Sequence, residues 1–473
     1  MNNIDILFII PPFHMRNGGG CFFPMGTGYI ISSIEKNSQT WGVINCTEII
    51  QSFYEDDLIK LKETLPGLLR DFSPMVIGVG PCITTQLKAL RVIADICKTT
   101  FPNIPLFAGG PFASIDGQQK VFEEYVGIKY LIKGDGEDAV PDVIRAIKRT
   151  GNIETSKCLS FSGQSHINVI KDINVLSYPY RTIQSQTFSE RRKEPGTQYA
   201  MIASRGCPYK CNYCVSGNMK GNHIPFRKRT YDNIIGEMIF LKENYNATGV
   251  VFYDDLFFSD YNRINEEVST FCRKFQNKNT QMTWQIEMRP DYFAALSDRS
   301  ITELHNAGCA QINIGIEKMS EKGLAFLGKS GNRQGLLERM SCARKAGIRL
   351  SATFILGGKN EKVEDVEQIV EYAKCLPLNF AHFNPLFVYP GTPLYDEIYT
   401  TPDAWVKDVL ESGLPWGEIV YENEYLKTDD LLNLAEYAYS EFYKGTPHSS
   451  ESMIKDRFNL SSNGKGEVEN AHI

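Results

Sequence analysis

The stretch Ser204-Arg205-Gly206-Cys207-Pro208-Tyr209-Lys210-Cys211-Asn212-Tyr213-Cys214 places three thiols within eight residues. Their spacing is Cys-x3-Cys-x2-Cys, directly after an apolar run at 199–204 that reads as a β-strand. A loop that leaves a strand lies on the carboxyl-terminal edge of its sheet, where α/β proteins keep their chemistry. Grouped thiolates favour zinc or an iron–sulfur cluster. Structural zinc takes four closed ligands, and the only nearby fourth donor is His223, nine residues after Cys214 in a Gly/Asn-rich stretch. Three ligands on a four-iron cluster leave one iron open to a substrate or cofactor. The cluster reading makes Cys207, Cys211 and Cys214 metal ligands; zinc and unliganded buried thiols are the alternatives.

Strand-like runs recur after this point, at 249–253, 282–287, 311–316, 349–356 and 380–388, with helical patterns at 231–244 and 362–375 between them. Six β/α units in sequence predict a partial (β/α)6 barrel over 196–400. Upstream, 1–150 alternates strands at 5–10, 42–46, 75–80, 105–108 and 130–132 with helices. The clearest helix is 85–100, where Leu87, Leu90, Ile93, Ala94 and Cys97 share one face. Pro11-Pro12, Pro81, Gly109-Gly110-Pro111 and Gly134-Asp135-Gly136 punctuate the strand ends. This alternation predicts a doubly wound, Rossmann-like parallel sheet, so the fold class is α/β in both halves. A linker is expected over 151–195, with a charged, turn-rich stretch at 189–196. A helical carboxyl-terminal region follows over 401–446. Its last helix, 428–444, is expected to be capped by Thr428 and ended by Gly445. Residues 447–473 read as a mobile tail.

The chain has 473 residues and a formal net charge of −6, from 50 Lys plus Arg against 56 Asp plus Glu. That balance excludes a protein whose main task is gripping a nucleic-acid backbone. The short run at 6–10 lacks a basic flank, and no apolar run reaches the roughly 18 residues of a membrane span. A cytoplasmic, reducing location is expected, with thiols free. Of the 12 cysteines, Cys46, Cys82, Cys97, Cys272, Cys309, Cys342 and Cys375 sit singly in apolar patterns and read as buried packing. Arg205, Lys210, Arg227, Lys228 and Arg229 read as solvated surface charge.

The thiol motif resembles that of the radical S-adenosylmethionine (SAM) superfamily, and further motifs follow in order. Tyr213 stands where that family places an aromatic residue beside adenine. Tyr253-Asp254-Asp255 resembles the site for the SAM amino group. Glu287 and Arg289, in the run from Trp284, occupy a position where polar side chains meet ribose or carboxylate. Ile312-Asn313-Ile314-Gly315-Ile316-Glu317 is similar to the adenine-contacting strand, which brings in Gly315 and Glu317. The runs 354–358 and 390–395 resemble later family signatures.

The amino-terminal third resembles the cobalamin-binding domain fused ahead of many radical SAM enzymes. The resemblance rests on Pro11-Pro12, the run 23–29, Gly109-Gly110-Pro111 and Gly134-Asp135-Gly136-Glu137. It implies cobalamin contacts from Pro12, Gly109, Gly110, Pro111, Gly136 and Glu137. Many cobalamin carriers use Asp-x-His-x-x-Gly, whose histidine ligates cobalt. Here His14 has Pro12 at the Asp position and Asn17 at the Gly position, so it lacks an orienting carboxylate. Cobalamin is then expected without a protein histidine on cobalt.

The resemblance implies a [4Fe-4S] cluster, SAM and cobalamin as cofactors, and methylation of an unactivated carbon of a peptide or small natural product. It also implies an external electron donor such as flavodoxin or ferredoxin, with no nucleic-acid or membrane partner. Rearrangement, ring contraction or cyclisation without methyl transfer is the alternative. Less favoured are a tRNA methylthiotransferase, with Cys21, Cys46 and Cys82 as extra ligands, and a non-catalytic corrinoid carrier.

Overall fold

The computed structural model describes residues 2–13, 24–50, 55–181, 198–218, 224–412 and 418–444. His14, Cys21, His223, Gly445, the 189–196 stretch and the 447–473 tail lie outside these residues. Within the described residues, no helix is long and apolar enough to cross a membrane.

The amino-terminal sheet contains β1 (Asn2–Ile10), β2 (Trp41–Asn45), β3 (Phe72–Val79), β4 (Leu106–Gly109), β5 (Tyr130–Gly134) and β6 (Ile167–Asn168). They lie in the order β2-β1-β3-β4-β5-β6, every neighbouring pair parallel. Strand order reverses between β1 and β3, which opens a crevice at their carboxyl ends. The sequence pattern marks only five of these strands. The sixth comes from the expected linker, where β6 pairs with Lys133 and Gly134 of β5. The start of the linker is therefore part of the first sheet. The helix Leu87–Thr100 buries Leu87, Leu90, Ile93, Ala94 and Cys97 against this sheet, as its periodicity predicts.

β7 (Gln198–Met201) opens the second sheet. After it, β8 (Ser204–Arg205) and β9 (Arg227–Lys228) form a short antiparallel ribbon. The sheet continues through β10 (Gly249–Phe252), β11 (Thr283–Met288), β12 (Cys309–Glu317), β13 (Arg349–Leu356) and β14 (Phe380–Pro385). The order β14-β13-β12-β11-β10-β7 is a run of parallel neighbours with β7 and β14 at its edges, the six-stranded partial barrel expected.

Side chains alternate between faces in these strands, and that alternation separates core from site. In β12, Ile312, Ile314 and Ile316 are fully buried in the core, while Asn313, Gly315 and Glu317 fall on the opposite face. In β11, Trp284, Ile286 and Met288 pack into the same core, and Glu287 is on the other face. Trp284 is wholly buried, edge-on to Phe271 at 5.2 Å, with Nε1 donating to the Ala307 carbonyl at 2.7 Å. It is a core residue.

The carboxyl-terminal segment is divided between two cores. Trp405, Val406 and Val409 of the helix Pro402–Glu411 join the core of the amino-terminal sheet. The helix Thr428–Tyr443 packs on the barrel, where Tyr439 and Tyr443 hydroxyls accept from the Phe383 and Ala381 amides at 3.1 and 3.0 Å. Thr428 is not its cap. Its hydroxyl and amide both bond Glu422, and Asp430 instead accepts from the Lys427 amide at 2.9 Å. Cys46, Cys82, Cys97, Cys272 and Cys309 are buried as expected, whereas Cys342 is half-buried and Cys375 exposed.

Candidate active site

The thiol loop leaves β8 and is held from three sides. Asp254, in the turn after β10, accepts from the Ala203 amide at 2.8 Å, from the Ser204 amide, and from Ser204 Oγ at 2.6 Å. Asn212 donates its backbone and side-chain N–H groups to the Leu327 and Phe326 carbonyls, each at 2.8 Å. The Leu394 amide donates to the Asn212 carbonyl at 3.1 Å. The loop also closes on itself: a Cβ at Gly217 would stand 1.6 Å from the Tyr209 carbonyl oxygen, so no other residue fits there.

Held in this way, Cys207, Cys211 and Cys214 line one wall of a cavity of about 490 Å³. The three thiols are half-buried and free of disulfides. Among the described residues, no three His, Cys, Asp or Glu side chains close around a single-ion site.

The inner faces of β11, β12 and β13 supply the opposite wall. Tyr213 donates to Glu317 Oε1 at 3.1 Å, and Lys329 donates to the same oxygen at 2.9 Å and to the Gly315 carbonyl at 2.6 Å. Asn313 reaches Glu287 Oε1 and Thr353 Oγ1, both at 3.5 Å, and accepts from Ser351 at 2.9 Å. Glu287 is open to the cavity, yet the surrounding protein desolvates it. Its carboxyl is pushed up to about 7, first by desolvation and then by Glu317, Asp255 and Asp254, against the Asn313 bond. Arg289 lies over the Tyr209 ring, 3.7 Å from its centroid, and pairs with Asp291 at 3.0 Å.

A second cavity, about 470 Å³, opens at the switch point of the amino-terminal sheet. Gly78, Gly109, Gly110, Pro111, Gly136 and Glu137 lie on its wall, with Arg205, Arg227, Ser216 and Asp255 from the barrel. Gly110 is required by the fold itself. Its φ is +119°, and a Cβ there would stand 2.5 Å from the Cys82 amide nitrogen. Gly26, on the same wall, is different: a Cβ there would meet nothing within 4 Å.

The structure brings together most of the residues singled out from sequence. Cys207, Cys211, Cys214, Tyr213, Asp255, Glu287, Arg289, Gly315 and Glu317 line one cavity. Gly109, Gly110, Pro111, Gly136, Glu137 and again Asp255 line the other. Pro12 and Asp254 are on neither wall. The Pro12 carbonyl accepts from Gln86 at 3.1 Å, and the Asp254 carboxylate is occupied in bracing the thiol loop.

The basic residues near the loop are not solvated surface charge, Lys210 excepted. Arg205 and Arg227 both bond Asp135, Arg229 pairs with buried Glu237, and Lys228 pairs with Glu267 at 2.7 Å. These pairs compensate the cost of drawing four cations out of water. Sequence reasoning missed Lys329, Ser216 and Asn313 as site residues. Asn313 had a signal, since it shares the inner face of β12 with Gly315 and Glu317. Lys329 and Ser216 lie in loops, where no periodicity marks a face.

Residues 201–373 match the radical SAM superfamily. The chain carries a radical SAM domain. Such a domain takes SAM and a [4Fe-4S] cluster, which fits the thiol loop and the cavity it lines. Over 97% of its length the chain is 23% identical to an uncharacterized methyltransferase of Pyrococcus horikoshii, covering 95% of that protein. It is also 23% identical, over 83% of its length, to an anaerobic magnesium-protoporphyrin IX monomethyl ester cyclase of Cereibacter sphaeroides, covering 63% of that protein. Among solved structures, the radical SAM methyltransferase TsrM from Kitasatospora setae superposes with a TM-score of 0.64 at 18% identity, covering 83% of this chain and 75% of TsrM. The cobalamin-dependent SAM radical enzyme OxsB superposes with a TM-score of 0.66 at 14% identity, covering 95% and 70%. The two-sheet α/β fold is thus shared with both, and the resemblance to cobalamin-binding radical SAM enzymes is borne out.

Proposed function

We propose that this radical SAM protein is a cobalamin-dependent C-methyltransferase acting on a small molecule or peptide. The observation that carries the reading is the shared wall: Ser216 and Asp255 line both cavities, so ligands in the two would meet at that pair. When bound, the cluster with SAM supplies a carbon radical that removes a substrate hydrogen atom, and the corrinoid supplies the methyl group.

The residues present suit these groups. Cys207, Cys211 and Cys214 offer three soft donors on one wall, one for each of three irons. Two further observations favour a bulky ring in the other cavity: open space at Gly26, and a Glu137 carboxylate whose Oε2 is buried without a hydrogen-bond partner. A corrin edge carries the carboxamide N–H groups that this oxygen lacks.

The protein's part is to bind, orient and exclude water. Tyr213, fixed through Glu317 and Lys329, and the Asn313–Glu287 pair form a polar wall for a nucleoside with a cationic amino-acid arm. Leu386, Phe387 and Ile355 supply apolar surface beside it, which keeps a reactive radical away from solvent. Cys46 and Cys82 are fully buried in the amino-terminal core, and burial holds both thiols far above their ordinary range. That argues against the methylthiotransferase reading.

The test is anaerobic purification, cofactor analysis, and product analysis with SAM, a reductant and candidate substrates. Formation of both 5′-deoxyadenosine and S-adenosylhomocysteine supports methyl transfer. Deoxyadenosine alone at full turnover favours cyclisation or rearrangement, a reading that the cyclase relative keeps in view.

A further inference from the structure

We propose that Arg205 couples the occupancy of the two cavities, so that a ligand held at Glu137 tightens the cluster-binding loop. This rests on the function proposed above. Arg205 belongs to β8, two residues before Cys207. Its guanidinium forks across the amino-terminal unit: Nη1 donates to Asp135 Oδ1 at 2.8 Å and Nη2 to Glu137 Oε1 at 2.5 Å. Its face lies over the Tyr29 ring, 5.1 Å from the centroid. The partner strand is tied to the same place, since Arg227, opposite Arg205 in the ribbon, donates to Asp135 Oδ2. The Ile170 amide donates to that oxygen at 2.8 Å. The ribbon that launches the thiol loop is therefore anchored on the wall of the corrinoid cavity and not on the barrel alone.

One element of this anchor is incomplete. Glu137 is almost fully buried and lines the corrinoid cavity, but only Oε1 is bonded; Oε2 has no partner. A buried carboxylate oxygen without a donor is costly, and neighbouring Arg205 is already shared with Asp135. An N–H donor entering the cavity, such as a corrin carboxamide, completes Glu137 and fixes its carboxylate. Arg205 is then held from both carboxylates, and with it the start of the Cys207 loop. Linkage makes the effect reciprocal: a loaded cluster loop holds Arg205 in place and pre-forms Glu137 for the corrinoid.

The test is equilibrium binding of hydroxocobalamin, followed by visible absorption, to the full chain with its reconstituted cluster and to the same chain after iron chelation. The dissociation constant should be smaller in the cluster-loaded chain by about fivefold or more. In Glu137→Met, which keeps bulk but removes both carboxylate oxygens, that ratio should fall to about one while iron content stays that of wild type. Arg205→Lys keeps the charge but loses the fork, and should lower the ratio in the same way. Equal affinity in the two wild-type states overturns the coupling and leaves the proposed function standing. So does a wild-type ratio in either variant. A chain that binds no hydroxocobalamin in either state overturns both.

Discussion

Ser216 Oγ donates to Asp255 Oδ1 at 2.6 Å, and these two residues sit on the wall of both cavities. Ser216 lies two residues after Cys214, and Asp255 lies three residues beyond the end of β10, so the pair joins the thiol loop to the barrel strands. Asp255 is open to the cavity space, unlike its neighbour Asp254. The Asp255→Asn variant should keep cluster content and unfolding midpoint near those of wild type. It should lower product formation by about a hundredfold, the scale of losing one well-placed polar group at a reaction centre. Iron analysis beside a turnover assay checks this.

Asp254 has the opposite character, a structural carboxylate with a pH signature. Burial pushes it up to about 6, while bonds from Ser204 and Ala203 oppose the shift. Its folded value lies above the ordinary one of 3.8, so the folded state binds the extra proton. Its contribution to stability is most favourable below about pH 4 and is lost as pH rises towards 6. Urea midpoints across that window should show the decline in wild type. In Asp254→Asn this decline should vanish, and stability should drop by about 2–5 kcal/mol, because an amide N–H then opposes the buried Ala203 amide.

Glu287 titrates nearer neutrality, at about 7. It is neutral below that value and anionic above it, and an anion favours a sulfonium and an ammonium group. Affinity of the cluster-loaded chain for SAM should therefore rise from pH 6 to 8, by up to about tenfold in all and mostly below pH 7. Glu287→Gln should flatten the profile, as measured by equilibrium binding.

Lys329 and Glu317 form a buried pair at 2.9 Å that also fixes Tyr213. Lys329→Met leaves the carboxylate buried without its cation and should cost about 3–5 kcal/mol. Lys329→Arg should recover part of this. Denaturant unfolding of the three proteins is the check.

Much of this arrangement is legible in the amino-acid sequence. The Cys-x3-Cys-x2-Cys loop and the strand alternation after it lead directly to the barrel, because period-2 patterning is a local property. The two-residue β6 was not legible, since its place in the sheet depends on pairing with β5 and not on its own residues. Asp254 and Asp255 look equivalent in sequence. Only the turn after β10 sends one under the thiol loop and leaves the other at the junction. Arg205 and Arg227 resemble ordinary surface charge until Asp135 and Glu137 are brought against them across more than sixty residues of chain. Such long-range pairing carries no local signal.

The proposed function requires one chain to hold the cluster and the corrinoid in adjoining cavities. Electron paramagnetic resonance of the chain loaded with both, with the cluster reduced and cobalt in its paramagnetic +2 state, tests it most directly. Cavities that share the Ser216–Asp255 wall require the cobalt signal to be broadened and split by the cluster spin, and restored in the Cys211→Ala chain. A cobalt signal identical with and without the reduced cluster would contradict the account.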